Sequence, residues 1–365
     1  MKILRTYFLK EFTAPFLLSL GVLTFIMLLG YLVQIADLVI NKGINLPSVI
    51  KLFLTMVPFL LTYTIPASAL GGVLFSLARM ASDNEILAIK ASGINILRLL
   101  TPLFVVGVIL SLVLFIFNDR VVPYAHYMRR KILIDVGVRN PTAALEPGVF
   151  INSFERYTLF IYRIEQNRLF NVRIYEPQGE GKPPRTIVAK EGEFISIPEK
   201  GIVKLKLING TADEPDPNNP LQFYKLNFKV YFMTLNATQA QKKQEINKKP
   251  KDMTIDELKK EIRRLNKEGI NSSPLIAQIH EKIATALSPF LFILLGASLS
   301  VIVRLRQKGL NFLLAVLIIM PYYVLLTGLE AIALQGNINP ILAMWLPNAL
   351  YLAIGLPLIF KVCVY

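Results

Sequence analysis

The segment Arg79-Met-Ala-Ser-Asp-Asn-Glu85-Ile-Leu-Ala-Ile-Lys90-Ala-Ser-Gly93-Ile-Asn95 combines residue types and spacings that imply a task. Ser82 or Asp83 suits the start of a helix, where a short polar side chain accepts from otherwise open amides. Asn84 and Glu85 then fall in the electropositive first turn. Ile86, Leu87, Ile89 and Lys90 follow at helical spacing, and Gly93 suits a left-handed stop. The spacing predicts a short amphipathic helix over about 82–93 with an acidic front end. The chemistry of such a helix is docking. Its carboxylate suits a partner's arginine and its apolar face a partner's groove. An interfacial helix with no partner has the same pattern, so the spacing leaves both readings open.

Catalytic chemistry is not expected. No G-x-x-x-x-G-K-[ST] phosphate loop occurs, so the chain is not expected to bind and hydrolyse ATP in that manner. Cys363 is the only cysteine, which excludes an internal disulfide and a cysteine zinc site. Histidine is the usual general base, and only His126 and His280 are present. His126 stands among Tyr124, Tyr127, Arg129 and Arg130, and His280 beside Glu281 and Lys282, both settings typical of a membrane boundary. No catalytic residue, metal or cofactor is expected.

The elements that must hold the 79–95 segment follow from where charge is missing. Hydrophobic residues make up 53% of the 365 and charged residues 18%, with mean hydropathy +0.49. Soluble domains carry about 25% charged residues. Segments 14–36, 52–78, 99–118, 283–303, 309–329 and 331–360 contain no charged side chain. Each is long enough to cross about 30 Å of hydrocarbon as a helix. The last contains Gln335, Asn337 and Asn339, so its helix is expected to start near Pro340. The first is too long for a secretory leader and lacks a small-residue cleavage site, so it reads as a retained helix. The chain is therefore expected to be a membrane protein of six transmembrane helices, arranged 3 + 3.

Short-loop cations set the orientation. Lys2, Arg5, Lys10, Arg79, Lys90, Arg98, Arg304, Arg306, Lys308 and Lys361 fall on one side, against Lys42, Lys51 and Lys282 on the other. The first side is expected to be cytoplasmic, with both termini there and segment 119–277 outside. The net charge of +15 suggests anionic partners: lipid headgroups, phosphates or nucleic acid. Part of the excess sets topology and part decorates an external domain; no nucleic-acid partner is expected.

Residues 141–235 change character. Runs rich in Val, Ile, Tyr, Phe and Leu at 157–164, 170–175, 186–189, 194–197, 202–208 and 223–233 are separated by turn chemistry such as Asn209-Gly210 and Pro215-Asp-Pro217. Val203, Leu205 and Leu207 alternate with Lys204 and Lys206, the period of a half-buried strand. An antiparallel sandwich or open barrel is expected. Thr254-Ile-Asp-Glu257 reads as a capping box opening a helix with Leu258, Ile262 and Leu265 on one face. That helix reads as a connector on the membrane or the sheet. The expected division is 1–118 (three helices with the 82–93 helix), 119–252 (the β-domain and its connections), 253–277 (connector) and 278–365 (three helices).

The whole chain resembles the LptF/LptG family of lipopolysaccharide export permeases. The resemblance rests on Arg5-Thr-Tyr-Phe-Leu-Lys-Glu-Phe12 before the first span and Asp83-Asn-Glu-Ile-Leu-Ala-Ile-Lys-Ala-Ser-Gly93 after the second. It rests also on Ile279-His-Glu-Lys-Ile-Ala-Thr-Ala-Leu-Ser-Pro289-Phe, the basic loop 304–308, Trp345-Leu-Pro-Asn348 and the 3 + 3 order around an external β-domain. It implies an inner-membrane permease subunit of an ABC transporter, with a periplasmic β-jellyroll-like domain. It implies a second LptF/LptG-type subunit, identical or paralogous, and an LptB-type ATPase dimer that supplies the ATP hydrolysis. The 82–93 helix becomes the coupling helix, with Glu85 at the position of its important acid and Asp83 nearby. Asn84, Ile86, Ile89 and Gly93 complete the ATPase-coupling set. The β-domain becomes the relay that passes lipopolysaccharide to LptC-type and LptA-type periplasmic proteins, and helices one and five become lateral gates.

One feature departs from the family. Its members can carry basic residues at the outer end of helix one, which here reads Gln34-Ile-Ala-Asp37, and helix five ends on Glu330. Lys42, Lys51 and Lys282 are the nearest cations for headgroup phosphates. The alternative reading is a non-transporting membrane scaffold whose β-domain binds envelope proteins or glycans; it predicts no associated ATPase. An ion-coupled transporter would show charged residues in mid-membrane, and the six spans have none.

Overall fold

A computed structural model describes residues 2–40, 44–139, 145, 147–154, 157–165, 168–177, 185–197, 202–215, 223–235, 248–303, 308–336 and 338–364. In chain order these form α1 (Lys2–Ile40), α2 (Leu46–Ser82), α3 (Glu85–Ala91), α4 (Ile96–Ile116), a π-helical turn (Phe117–Val121) and α5 (Val122–Arg139). Then come strands β1 (Phe150–Phe154), β2 (Tyr157–Glu165), β3 (Arg168–Glu176), β4 (Arg185–Ile197), β5 (Ile202–Pro215) and β6 (Phe223–Leu235). The chain closes with α6 (Ile255–Lys267), α7 (Ser273–Val303), α8 (Lys308–Leu334) and α9 (Pro340–Val364). Among the described residues, 6 helices are long and apolar enough to cross a membrane. They fall three before the strands and three after.

The described residues divide into two compact units. One comprises Met1–Gly30, Thr55–His126 and Lys249–Tyr365, the other Tyr31–Leu54 and Tyr127–Lys248.

In the helical unit α7 is the most enclosed span. Its Ile293, Ala297 and Val301 pack with Val73 and Leu77 of α2, Leu99 and Leu103 of α4 and Phe8 and Phe12 of α1. Its Leu291, Phe292 and Leu295 pack with Leu70 and Leu74 of α2, Tyr322 of α8 and Tyr351 of α9. The helices approach closely where side chains are small. A Cβ on Gly72 would lie 2.8 Å from the Phe12 ring, so this glycine sets the α1–α2 seam. The outward faces of α1 (Leu17, Leu18, Phe25) and α8 (Phe312, Leu317, Met320) remain exposed. Water would penalise that apolar area, whereas hydrocarbon or another apolar helix would not.

In the other unit the six strands pair antiparallel in chain order, β1 to β6, as one sheet. The expected runs at 186–189 and 194–197 are one strand, β4, and β1 is additional. β5 continues through Asn209-Gly210, where the sequence suggests a turn. Asn209 and Asn171 both adopt left-handed backbone, each at φ 53°. Asn171 lies between the pairs Phe170↔Glu191 and Val172↔Ala189, and Asn209 between Glu191↔Ile208 and Ala189↔Gly210. Both therefore stand opposite Lys190, on one row across the sheet. A left-handed residue turns over the side chains that follow it. In β3 the buried residues switch from Leu169 to Val172 and Ile174, and in β5 from Leu205 and Leu207 to Ala212. The phase change lets residues on both sides of the row enter one core, with Leu159, Ile161, Ile187 and Phe194.

Candidate functional site

α3 is held in the turn between α2 and α4. α2 ends at Ser82, and Asn84 at φ 58° turns the chain before Glu85. Ser82 and Asp83 therefore precede α3 rather than opening it, and Asn84 makes no side-chain cap. Asparagine tolerates this left-handed backbone as a single residue between two helices. At the other end Gly93 has φ 69°. Its amide donates to the Lys90 carbonyl at 3.0 Å and the Ile94 amide to the Ile89 carbonyl at 3.3 Å, the paired bonds that close a helix on a glycine. Asn95 then caps α4, its Oδ1 accepting from the Leu97 amide at 2.9 Å.

Side-chain directions separate the candidate residues. Ile86 and Ile89 pack into the apolar cluster formed by α1, α2, α4 and α7. Glu85 is half-buried, and the Tyr7 hydroxyl of α1 lies 2.9 and 3.0 Å from its two carboxylate oxygens. Asp83 lies 3.6 Å from Arg79 of α2, and Arg79 also bonds Glu11 of α1. Asp83, Asn84 and Gly93 are exposed, together with Leu87, Ala88 and Ala91 on the outward side of α3. The structure thus brings Glu85, Ile86 and Ile89 onto the bundle and leaves Asp83, Asn84 and Gly93 on the surface. The side-chain bonds of Tyr7 and Glu11 were missed in the sequence. The pairs 7/85 and 11/79 are far apart in the chain, and no periodicity links them. Leu87 was visible as one of the helically spaced apolar residues, but its exposed side was not.

At the opposite end of the same unit, Lys282 and Glu330 line one cavity of about 210 Å³ together with Asn118, His126, Lys251 and Glu281. Lys282 is buried and its ammonium donates to the Met253 carbonyl. Asn118, in the π-helical turn, accepts from Thr62 at 3.1 Å and lies 3.1 Å from Thr285. This buried bond set fixes α2, α4 and α7 to one another. The Trp345 indole donates to His280 Nδ1 at 3.1 Å. In the other unit Lys51 is exposed on α2. Gln34 and Asp37 belong to α1, with side chains outside the described residues, and Lys42 lies outside them altogether.

Six spans, an inserted antiparallel sheet and an acid-tipped helix between the second and third spans reproduce the order of parts expected from the sequence. The sequence model "Lipopolysaccharide export system permease LptF/LptG" matches residues 6–361. The chain belongs to the LptF/LptG family. It is similar to "Lipopolysaccharide export system permease protein LptF" of Escherichia coli strain K12, 22% identical over 359 residues, which cover 98% of this chain and 94% of that protein. The protein of the same name from Shigella flexneri matches to the same extent. "Uncharacterized protein RP871" of Rickettsia prowazekii is 21% identical over 258 residues, 71% of each chain. As an LptF/LptG member with six apolar helices, the chain is a multi-pass inner-membrane protein of the lipopolysaccharide export permease type.

Proposed function

We propose that the chain is one permease subunit of an ABC transporter that extracts lipopolysaccharide from the outer leaflet of the inner membrane. Glycolipid passes through the β-domain to LptC-type and LptA-type periplasmic proteins. The energy comes from ATP hydrolysis in an LptB-type ATPase dimer that docks on α3 from the cytoplasm, where both chain ends lie. A second LptF/LptG-type subunit completes the cavity, and the outward apolar faces of α1 and α8 suit it and the entering acyl chains.

The observation that carries this reading is the attachment of α3. A lever that transmits force must be fixed to what it moves. α3 joins α2 to α4 through two left-handed residues, Asn84 and Gly93, and is bonded to α1 through Tyr7 and Glu85. A displacement of α3 by a closing ATPase therefore reaches three spans at once. The exposed Asp83, Asn84 and Leu87 offer an acidic and apolar surface for the docking.

The test is Glu85→Arg, which reverses charge at the tip and removes the acceptor of Tyr7. It is expected to abolish ATP-coupled extraction from reconstituted vesicles while membrane insertion stays normal. Extraction at the unaltered rate would refute the coupling role. Co-purification of an ATPase subunit with the full chain is also expected; its absence would favour the scaffold reading.

A further inference from the structure

The export reading gives no task to the outward face of α6. This helix is capped at its start by the Thr254/Glu257 box, and the Asp119 carboxylate accepts from the Ile255 amide at 2.7 Å. Ile255, Leu258, Ile262 and Leu265 pack on Leu275, Ile279 and Ile283 of α7. The side turned away from α7 carries Lys259, Arg263 and Lys267 at four-residue spacing, with Lys260 beside them. All four are exposed, and none is in an ion pair among the described residues. The acids lie elsewhere or are engaged. Arg264 pairs with Glu261 and Glu268, and Glu257 closes the cap. Asp256 shares the outward side, which leaves a strong cationic excess.

The level of this face in the membrane follows from α7. Ile283 opens the uncharged stretch 283–303, and Lys282 directly before it holds the Met253 carbonyl just ahead of α6. From Ile283 to Leu275 is about 12 Å of helix, which passes through a headgroup layer of about 5–7 Å and beyond it. The start of α6, with Lys259 and Lys260 in its first turns, therefore lies nearest the end of the hydrocarbon and Lys267 farthest from it, at the end of the bundle away from α3.

We propose that this face binds the phosphates of anionic lipid headgroups in the adjoining leaflet, and that α6 is an electrostatic anchor as well as a connector. Clusters of lysine and arginine on an amphipathic helix beside a membrane span bind such lipids, each cation contributing about a fivefold gain in surface affinity. A zwitterionic surface offers no comparable field.

The test uses the full chain in lipid nanodiscs, with amine-reactive labelling of Lys259, Lys260 and Lys267 read by mass spectrometry. Discs containing phosphatidylglycerol are expected to slow labelling about fivefold relative to phosphatidylcholine discs, and salt near 1 M to remove the difference. Equal rates in the two discs overturn the proposal. Millimolar inorganic phosphate added to phosphatidylcholine discs is expected to give no protection. Protection equal to that of phosphatidylglycerol would identify a free-phosphate site and overturn the commitment to a lipid surface. Arg263→Glu with Lys267→Glu leaves the apolar face intact and is expected to abolish the protection of Lys259 and Lys260; retained protection overturns the role of the face. The labelling requires neither ATPase nor glycolipid export, so it is decided separately from the transport reading.

Discussion

Glu85 sits at the tip of α3 with both carboxylate oxygens within hydrogen-bond reach of one phenol, Tyr7 of α1. The phenol can donate to only one oxygen at a time, so the carboxylate keeps accepting capacity for a partner's cation. Glu85 can thus belong to the bundle and to a docked subunit at once, which an acid pointing freely into water cannot do. Tyr7→Phe isolates the first half of this arrangement. The ring stays against the apolar cluster of α1, α2, α4 and α7, while the donor is lost. A hydrogen bond to a charged group contributes about 1.5–3 kcal/mol when buried, and less at a half-exposed site. About 1 kcal/mol of local stability should disappear, raising amide exchange across α3 roughly fivefold. Hydrogen–deuterium exchange of the full chain in nanodiscs checks this, and an unchanged rate in 85–91 would remove Tyr7 from the lever. The acidic tip and the glycine stop were legible in the sequence because they are local, written within eleven consecutive residues. Tyr7 was not, because its partner lies 78 residues away and only the packing of α1 against α2 brings them together.

The helices and strands differ in how openly the sequence announces them. A membrane span needs a long uncharged run whatever its neighbours do, so six gaps in charge gave six spans. A strand takes its limits from pairing, which a local pattern does not contain. Asn209-Gly210 carries strong turn chemistry, yet β5 continues through it because β4 and β6 pair on both sides. The asparagine keeps the left-handed backbone that suggested a turn and uses it to reverse the side-chain phase. Gly210 is needed for space: a Cβ there would lie 2.4 Å from the Val188 carbonyl oxygen, a backbone atom that cannot rotate away. Two substitutions separate conformation from space. Asn209→Gly retains the left-handed conformation and should change the unfolding midpoint of the β-domain little. Asn209→Val is β-branched and should lose about 1–2 kcal/mol, the cost of left-handed backbone. Thermal unfolding of the full chain in detergent, followed by a β-sheet-sensitive signal, reads both. Equal midpoints for the two variants would show that the row across Asn171, Lys190 and Asn209 does not depend on backbone handedness.

For the molecule as a whole, the proposed mechanism reduces to sidedness. A coupling helix can meet a cytoplasmic ATPase only if α3 and the chain ends share the cytoplasm, while the β-domain, an odd number of spans away, lies outside. The basic residues of the short loops argue for this orientation, since translocating lysine and arginine against the membrane potential is unfavourable. The basic β-domain is no objection, because long segments cross largely irrespective of charge. Cys363 is the only cysteine, so its replacement by alanine gives a chain in which single cysteines report position. Ser92, just after α3, and Tyr162, on β2, are both exposed and suit this use. In intact spheroplasts an impermeant maleimide should label Tyr162→Cys within minutes and leave Ser92→Cys unreacted until the membrane is broken. Labelling of Ser92→Cys from outside would put α3 on the periplasmic side, out of reach of any nucleotide-driven partner. The β-domain would then face the cytoplasm, and a relay to periplasmic proteins would have no route.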